Sequence, residues 1–387
     1  MFDILTLNKI AACGLDKFNA GDYSVSDNCE NPDGIILRSF SMHEMELGSN
    51  LKAVARAGAG VNNIPIDKCT DKGIVVFNSP GANANAVKEL VLAGLFLSSR
   101  NIVGGIEWAK TLQGKGEEVG KLVEKGKSQF VGPEIKGKTL GVIGLGAIGV
   151  MVANAAQHLG MEVIGYDPYM TIDAAWHLSH NIKKANDLSE IYAKSDYITL
   201  HVPANDSTVG MINSETLATM KDGVRILNFA RGTLVNEAHM AVALEEKKVA
   251  CYVVDFPSDA VLSMENVIAI PHLGASTPES EDNCAIMAAE ELKEYLENGN
   301  IKNSVNFPNC EMPREAGARV TIAHKNVPNM LSQFSAVMAD NHLNIVNMIN
   351  KSKKENAYTI MDIDGEVSES IIAAISEMDG VLAVRAL

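Results

Sequence analysis

The 387-residue sequence predicts an α/β protein with two doubly wound parallel-sheet domains and a small α+β unit behind them. Two separate series of short β-branched runs, each alternating with helix-length spacings, predict the sheets, and a change to βαββαβ order near the C-terminus predicts the third unit. In the first series, residues 2–8 (FDILTLN), 34–39 (GIILRS), 51–58 (LKAVARAG) and 73–80 (GIVVFNSP) are apolar and bounded by turn residues, as strands covered on both faces are. From Ala84 to about Arg100 the apolar spacing turns helical, and this helix is expected to leave the first domain. Residues 113–138, rich in Gly, Lys and Glu, read as a solvated connection with some helix. The second series begins at 138–146 (KTLGVIGLG) and continues at 162–167, 197–203, 225–230, 250–255 and 267–271. A helix around 283–297 then leads back toward the first domain, and 307–314, with two prolines, reads as a linker. The expected domains are 1–92 completed by 288–308, 93–287, and 315–387.

With 47% hydrophobic residues the chain can bury more than one core. It has no run of about 18 uncharged apolar residues, and its start lacks a signal-peptide pattern, so a cytoplasmic protein is expected. The six cysteines are scattered without a CxxC pair, which supports neither a metal site nor a disulfide framework. A net charge of -15 argues against nucleic acid and anionic membrane as partners. Any anionic ligand must then be drawn in by local arginines or helix N-termini.

GLGAIG, with Gly144, Gly146 and Gly149, follows a predicted strand and opens a predicted helix, and Asp167 lies 18 residues beyond the last glycine. In such a turn the first glycine permits the bend, the second admits a pyrophosphate, and the third lets the helix approach. The helix N-terminus adds N–H donors. Asp167 suits ribose hydroxyls and would repel a 2′-phosphate, and no arginine follows in DPYMTID, so the second domain is expected to be a Rossmann domain for NAD. Arg231 follows the strand RILNFA, and His272 follows the next strand but one, both at the carboxyl edge where open α/β sheets hold ligands. An arginine fork matches a carboxylate, and an imidazole can exchange a hydroxyl proton near neutral pH. Taken singly, each position also suits a packed histidine or a surface ion pair.

Arg38 and Arg56 sit where strands of the first domain end, and AGAGVNNI offers glycine-flanked N–H groups near Arg56, Ala57 and Gly58 for an anion. Asn78 and Asn83 in NSPGANANAV are candidates for the same cleft.

Arg231 in NFARGTLVNE, His272 in PHLGAST, the GLGAIG turn with Asp167, and LHVPANDST at 200–208 resemble the D-2-hydroxyacid dehydrogenase family, and within it the D-3-phosphoglycerate dehydrogenases, over nearly the whole chain. The resemblance implies a discontinuous substrate domain and a cleft between domains. His272 would act as acid/base, and Arg231 would hold the carboxylate and keto oxygen. It also implies NAD contacts from Ala147 and Ile148 in the glycine turn, from His201, Val202, Pro203 and Thr208 in the next loop, and from Ala230, Asp255 and Gly274 farther on. The implied reaction is oxidation of 3-phosphoglycerate to 3-phosphohydroxypyruvate, the first step of phosphorylated serine biosynthesis, with Arg38 and Arg56 near the phosphate. Alternatives are a dehydrogenase of glycerate, glyoxylate or lactate, and an NAD-responsive binding protein without turnover.

One departure bears on mechanism. The family places a glutamate between Arg231 and His272 in a DVFxxEP segment, where this chain has VVDFPSDAVLS. Asp259 is the counterpart by spacing, with Asp255 the second choice. The C-terminal unit resembles an ACT domain, and HKNVPNML at 324–331 is similar to the HxNxPGxL turn. This implies that His324 and Asn326, with Asn344, hold L-serine across a domain pair in a homodimer or homotetramer. Asn329 replaces the usual glycine but tolerates a left-handed backbone. Removal of residues from about 315 onward is expected to spare turnover and abolish inhibition by serine.

Overall fold

The computed structural model describes residues 1–314 and 317–387. They form two units, one of Met1–Asn83 with Pro278–Leu387, the other of Ala84–Thr277.

The first unit holds β1 (Phe2–Leu7), β2 (Tyr23–Ser26), β3 (Gly34–Leu37), β4 (Ala53–Arg56) and β5 (Val75–Asn78), all parallel in the order β2-β1-β3-β4-β5. The second holds β6 (Thr139–Ile143), β7 (Glu162–Tyr166), β8 (Lys183–Lys184), β9 (Tyr197–Leu200), β10 (Val224–Asn228), β11 (Val249–Val254) and β12 (Val267–Ala269). These are also parallel, in the order β12-β11-β10-β9-β6-β7-β8. Every run read from sequence became a strand. The two strands not foreseen, β2 (YSVS) and β8 (KK), lie at sheet edges, where short polar strands need no apolar run. Among the described residues no single helix is long and apolar enough to cross a membrane.

The chain crosses between units at Asn83/Ala84 and Thr277/Pro278, not at the expected 92/93 and 287/288. Those cuts would divide two helices that each serve one unit whole. Ala84–Ser99 packs so closely on the second sheet that a side chain at Gly94 would meet Phe229 and Leu227. Pro278–Asn298 covers the first sheet with Ala285, Ala288, Ala289 and Leu292, and its Tyr295 meets Phe77 at 5.7 Å between ring centres.

The C-terminal part has the expected βαββαβ order, with β13 (Ala318–Lys325), β14 (Asn344–Lys353), β15 (Asn356–Asp364) and β16 (Val381–Ala386) antiparallel as β14-β15-β13-β16. The expected boundary residue 315 lies outside the described residues. Period-two alternation gives this sheet two apolar faces. Val320, Ile322, Met361 and Ile363 face the helices Met330–Asp340 and Glu369–Ser376, and Ala323, Tyr358 and Ile360 join the core that contains Ile4, Ile36 and Phe77. The small C-terminal sheet domain expected from sequence is thus present, with one face packed on the core of the first unit, and the segment read as a linker is packed: Phe307 and Cys310 are buried, and Ile301 and Cys310 exchange backbone hydrogen bonds.

Arginines make this attachment specific. Arg319, fully buried, donates to both carboxylate oxygens of Asp362 at 2.6 and 3.0 Å. It also donates to the carbonyls of Asn298, Met312 and Pro313, at 2.9–3.0 Å. Arg385 donates to the carbonyls of Tyr295 and Leu296, and the Tyr358 hydroxyl to that of Gly299. A helix C-terminus leaves its last carbonyls without intrahelical partners. Here the C-terminal sheet supplies donors to the end of Pro278–Asn298.

Candidate active site

Strands β10, β11 and β12 are neighbours, and the residues that follow their carboxyl ends carry the candidate chemistry. Arg231 is exposed after β10; its Nη1 donates to its neighbour's carbonyl, Ala230 O, at 2.6 Å. The turn is held from beneath by Asn228, fully buried, which donates to Arg231 O at 2.9 Å and accepts from Ala230 N at 3.2 Å. His272, exposed after β12, has a left-handed backbone with φ of 52°. Non-glycine residues rarely adopt that region, and they cluster at functional turns when they do.

Asp255, at the end of β11, fixes the same turn. Its Oδ1 accepts from Leu273 N at 2.7 Å and its Oδ2 from Gly274 N at 2.8 Å. A side chain at Gly274 would crowd Oδ2, so glycine is required for this close approach. Burial pushes the Asp255 carboxyl up, and the two N–H groups and His272 pull it partly back. Next to it, the Phe256 ring lies 4.5 Å from the His272 ring centre, and the Arg231 guanidinium lies 5.9 Å from the Phe256 centre. One aromatic ring thus touches both candidate reactive groups.

Asp259 is exposed and opens the short helix Asp259–Leu262; its carboxylate makes no hydrogen bond or ion pair with any described residue. Among the described residues no hydrogen bond or ion pair joins it to His272, whereas Asp255 holds the backbone that follows His272 and feels the charge of its imidazole. Sequence reasoning missed Phe256 and Asn228, which lay without an assigned role in the segment VVDFPSDAVLS and in the strand run RILNFA. Asparagine at the carboxyl end of a core strand, two residues before an arginine turn, was the available signal for the second.

The glycine turn lies at the switch point between β6 and β9. Gly144 has φ of 92°, and a side chain there would come within 2.5 Å of His201 O; one at Gly149 would overlap the Gly144 carbonyl. At Gly146 a side chain would enter open space, the room a pyrophosphate needs. Gly146 is the N-cap of the helix Ala147–His158 without a side-chain cap, so the first-turn N–H groups, those of Ala147 and Ile148 included, are free of a protein side chain. Asp167 accepts from Leu145 N and Tyr169 N, both at 2.8 Å, and so braces the turn while keeping lone pairs for ribose hydroxyls. Val202 abuts Gly144, and Thr208 closes the following loop by donating to Pro203 O at 2.6 Å. These residues fit an NAD dinucleotide.

His201 pairs its Nε2 with Thr199 Oγ1 at 2.9 Å, and burial pushes the imidazole down to about 4 from 6.5. As pH falls, the unfolded chain takes this proton first, so the second unit is expected to lose stability from about pH 6.5 to about pH 4. His201→Asn should flatten that limb of a melting-temperature profile.

In the first unit, Arg56 donates from Nε to Arg38 O at 2.9 Å, and its Nη1 lies over Gly58, where a side chain would crowd it. Arg38 pairs with Glu281 at 2.7 Å, but both groups are about two-fifths exposed, a pair that solvent weakens and an incoming anion can displace. Ala57 is buried with its N–H on Leu37 O, Asn78 donates to Ala59 O at 2.6 Å, and Asn83 is half-buried as the last residue before the crossing. In the C-terminal sheet, buried His324 commits both ring nitrogens, Nδ1 to Lys325 O and Nε2 to Thr359 and Asn350, and burial lowers its proton affinity. Asn326 donates to Lys354 O, and Asn329 is left-handed with φ of 71°. Asn344 lies six residues before Asn350 on β14, about 20 Å along the strand, so a single chain does not join it to His324.

Residues 96–274 match the family described as D-isomer specific 2-hydroxyacid dehydrogenase, NAD binding domain. The chain belongs to the D-isomer specific 2-hydroxyacid dehydrogenases. Among its relatives, the D-3-phosphoglycerate dehydrogenase of Haemophilus influenzae is 31% identical over 370 residues, 92% of this chain and 86% of that protein. That of Methanocaldococcus jannaschii is 34% identical over 332 residues, 84% of this chain and 60% of that protein. The NAD+-bound 3-phosphoglycerate dehydrogenase of Entamoeba histolytica shares the fold, with a TM-score of 0.62 and 26% identity, over 79% of this chain and 98% of that one. The chain spans 52–60% of the length of three D-3-phosphoglycerate dehydrogenases that it matches at 33–35% identity.

Proposed function

We propose that the chain is a cytoplasmic NAD-dependent dehydrogenase that oxidises D-3-phosphoglycerate to 3-phosphohydroxypyruvate, the first step of phosphorylated serine biosynthesis. The observation that carries this reading is the placement of Arg231 and His272 against the one ring of Phe256, on strand ends of the same sheet that bears the glycine turn. Bound NAD supplies the hydride acceptor. His272 takes the proton from the substrate's 2-hydroxyl group as C2 is oxidised, and Arg231 holds the carboxylate and the developing keto oxygen through its planar fork. Asp255 keeps the His272 turn in place through Leu273 and Gly274. Arg56 and Arg38 offset the overall negative charge and receive the phosphate, with Asn78 and Asn83 in support; the N–H groups of Ala57 and Gly58 are spent on Leu37 O and Arg56 O and do not add to it.

An absorbance assay at the nicotinamide band with 3-phosphoglycerate, or with 3-phosphohydroxypyruvate and NADH in reverse, tests the activity. No turnover in either direction would favour an NAD-responsive binding protein. Arg56→Ala should raise KM for 3-phosphoglycerate by about tenfold or more, as the loss of a charge-assisted contact does, and leave KM for unphosphorylated glycerate nearly unchanged. Equal effects on the two would turn the assignment to glycerate, glyoxylate or lactate.

Asp255→Asn should lower kcat/KM by about ten- to a hundredfold and move the acid limb of its pH profile, since the His272 turn loses its anionic brace. Asp259→Asn should change neither. A limb moved by Asp259→Asn instead would give the role to Asp259, as the motif spacing suggests. The βαββαβ order and the left-handed Asn329 turn support reading the C-terminal sheet as an ACT-type module with L-serine as effector, in a homodimer or homotetramer. Serine titration of the full chain tests this, and unchanged turnover would remove the effector.

A further inference from the structure

Strand β3 lies between β1 and β4 in the first sheet, and its carboxyl end runs into the loop that carries Arg38. Ser39, Phe40 and Ser41 in that loop are exposed. Exposed loops ordinarily leave their main-chain groups to water and stay mobile. Here the two flanking strands each send an asparagine to hold them. Asn8, next after β1, accepts through Oδ1 from Ser39 N at 3.1 Å and from Phe40 N at 2.5 Å. Asn63, in the loop after β4, donates from Nδ2 to Arg38 O at 3.1 Å and to Phe40 O at 2.7 Å. Its own carbonyl accepts from the N–H of Met42, a fully buried residue that anchors the far end of the loop.

Both positions require asparagine for a physical reason. Two carbonyls face the Asn63 amide, so its nitrogen must point at them, and neither aspartate nor leucine, of nearly the same shape, has a donor to offer. Asn8 has a left-handed backbone with φ of 74°, which asparagine tolerates better than most residues. The consequence reaches the anion site through one atom. Arg56 Nε donates at 2.9 Å to the same Arg38 carbonyl that Asn63 holds, so the spacing of the two arginines depends on where that oxygen is fixed. A phosphate shared by two guanidinium groups is sensitive to such spacing, because each fork must meet its oxygens in line. We propose that Asn63 and Asn8 are positioning residues for the substrate's phosphate, setting Arg38 against Arg56 before the ligand arrives. The proposal rests on the reading of these two arginines as the phosphate site. A loop held in its binding conformation loses little freedom when ligand binds, so the benefit falls on affinity for the phosphorylated substrate and not on turnover.

Steady-state kinetics with 3-phosphoglycerate and with glycerate, together with melting of the full chain in millimolar inorganic phosphate at constant ionic strength, test the proposal. Asn63→Leu should raise KM for 3-phosphoglycerate by about fivefold or more, the size of two lost neutral hydrogen bonds, and leave kcat and the KM for glycerate within about twofold. Asn8→Gly should raise the same KM about threefold, because glycine keeps the left-handed turn and only the acceptor is lost. Inorganic phosphate should raise the melting midpoint of the unaltered chain, less so in either variant, with Arg38→Ala as the blank for general salt effects. Should Asn63→Leu fail to fold, Asn8→Gly reads the same split between KM and kcat. A phosphate response as large in both variants as in the unaltered chain, a fall in kcat with KM unchanged, or an equal rise in KM for glycerate would overturn the positioning role and leave that of the arginines standing. No phosphate response in the unaltered chain, with no turnover of 3-phosphoglycerate, would overturn the reading of the arginines and this proposal with it.

Discussion

His272→Ala should lower kcat/KM by about a thousandfold, within the span that a positioned acid/base contributes, while NAD affinity changes little. The expectation follows from how the imidazole is held. Its backbone is left-handed, the two N–H groups after it are tied to Asp255, and its ring rests on Phe256, so the surrounding turn survives truncation at Cβ. The loss should fall on kcat and kcat/KM together, because proton transfer belongs to the transition state. Added imidazole should restore part of the rate. Arg231→Ala should resemble it in kcat/KM but not respond to imidazole, and NAD titration by fluorescence separates both from a folding defect. Activity retained to within threefold in His272→Ala would assign the proton to another group.

Removing residues 315–387 should unfold the first unit and not merely silence a regulator. The sequence reading expected turnover to survive this cut. The structure makes the C-terminal sheet part of the same core: Tyr358 and Ile360 pack with Phe77, Tyr295 and Phe307, and Arg319, Arg385 and Tyr358 donate to the end of Pro278–Asn298. Each large side chain re-exposed costs about 1.5–3 kcal/mol. A few of them, together with carbonyls that lose their donors, match the 5–15 kcal/mol that holds a typical domain. A point variant isolates the polar part. Arg319→Met should cost about 3–5 kcal/mol, because Asp362 stays buried without its counter-charge. Asp362→Leu added to it should recover only part, since the carbonyls of Asn298, Met312 and Pro313 remain short of a donor. Chemical denaturation measures both, and a truncated chain with a native melting transition for the first unit would contradict this account.

The sheets were legible because their central strands are covered on both faces and so are continuously apolar, and the glycine turn because only glycine suits Gly144 and Gly149. The carboxyl-edge rule placed Arg231 and His272 on strand ends without coordinates. What sequence did not yield was contact chemistry: which carboxylate braces the His272 turn, that Phe256 touches both candidate groups, and that Asn228 supports the arginine turn. Spacing favoured Asp259, whereas the strand end favours Asp255, whose oxygens already hold the turn. The unit boundary was also hidden, because period-two alternation along β13 and β15 is equally compatible with a solvated face and with one packed on a neighbouring sheet.

The crossings at Asn83/Ala84 and Thr277/Pro278 impose an order of assembly on the ribosome. Ala84–Thr277 is continuous and can close while the nascent chain is still being extended. The first 83 residues emerge earlier but must wait, with their apolar strands uncovered, until the last hundred or so have been made. For that interval they are natural clients for a chaperone.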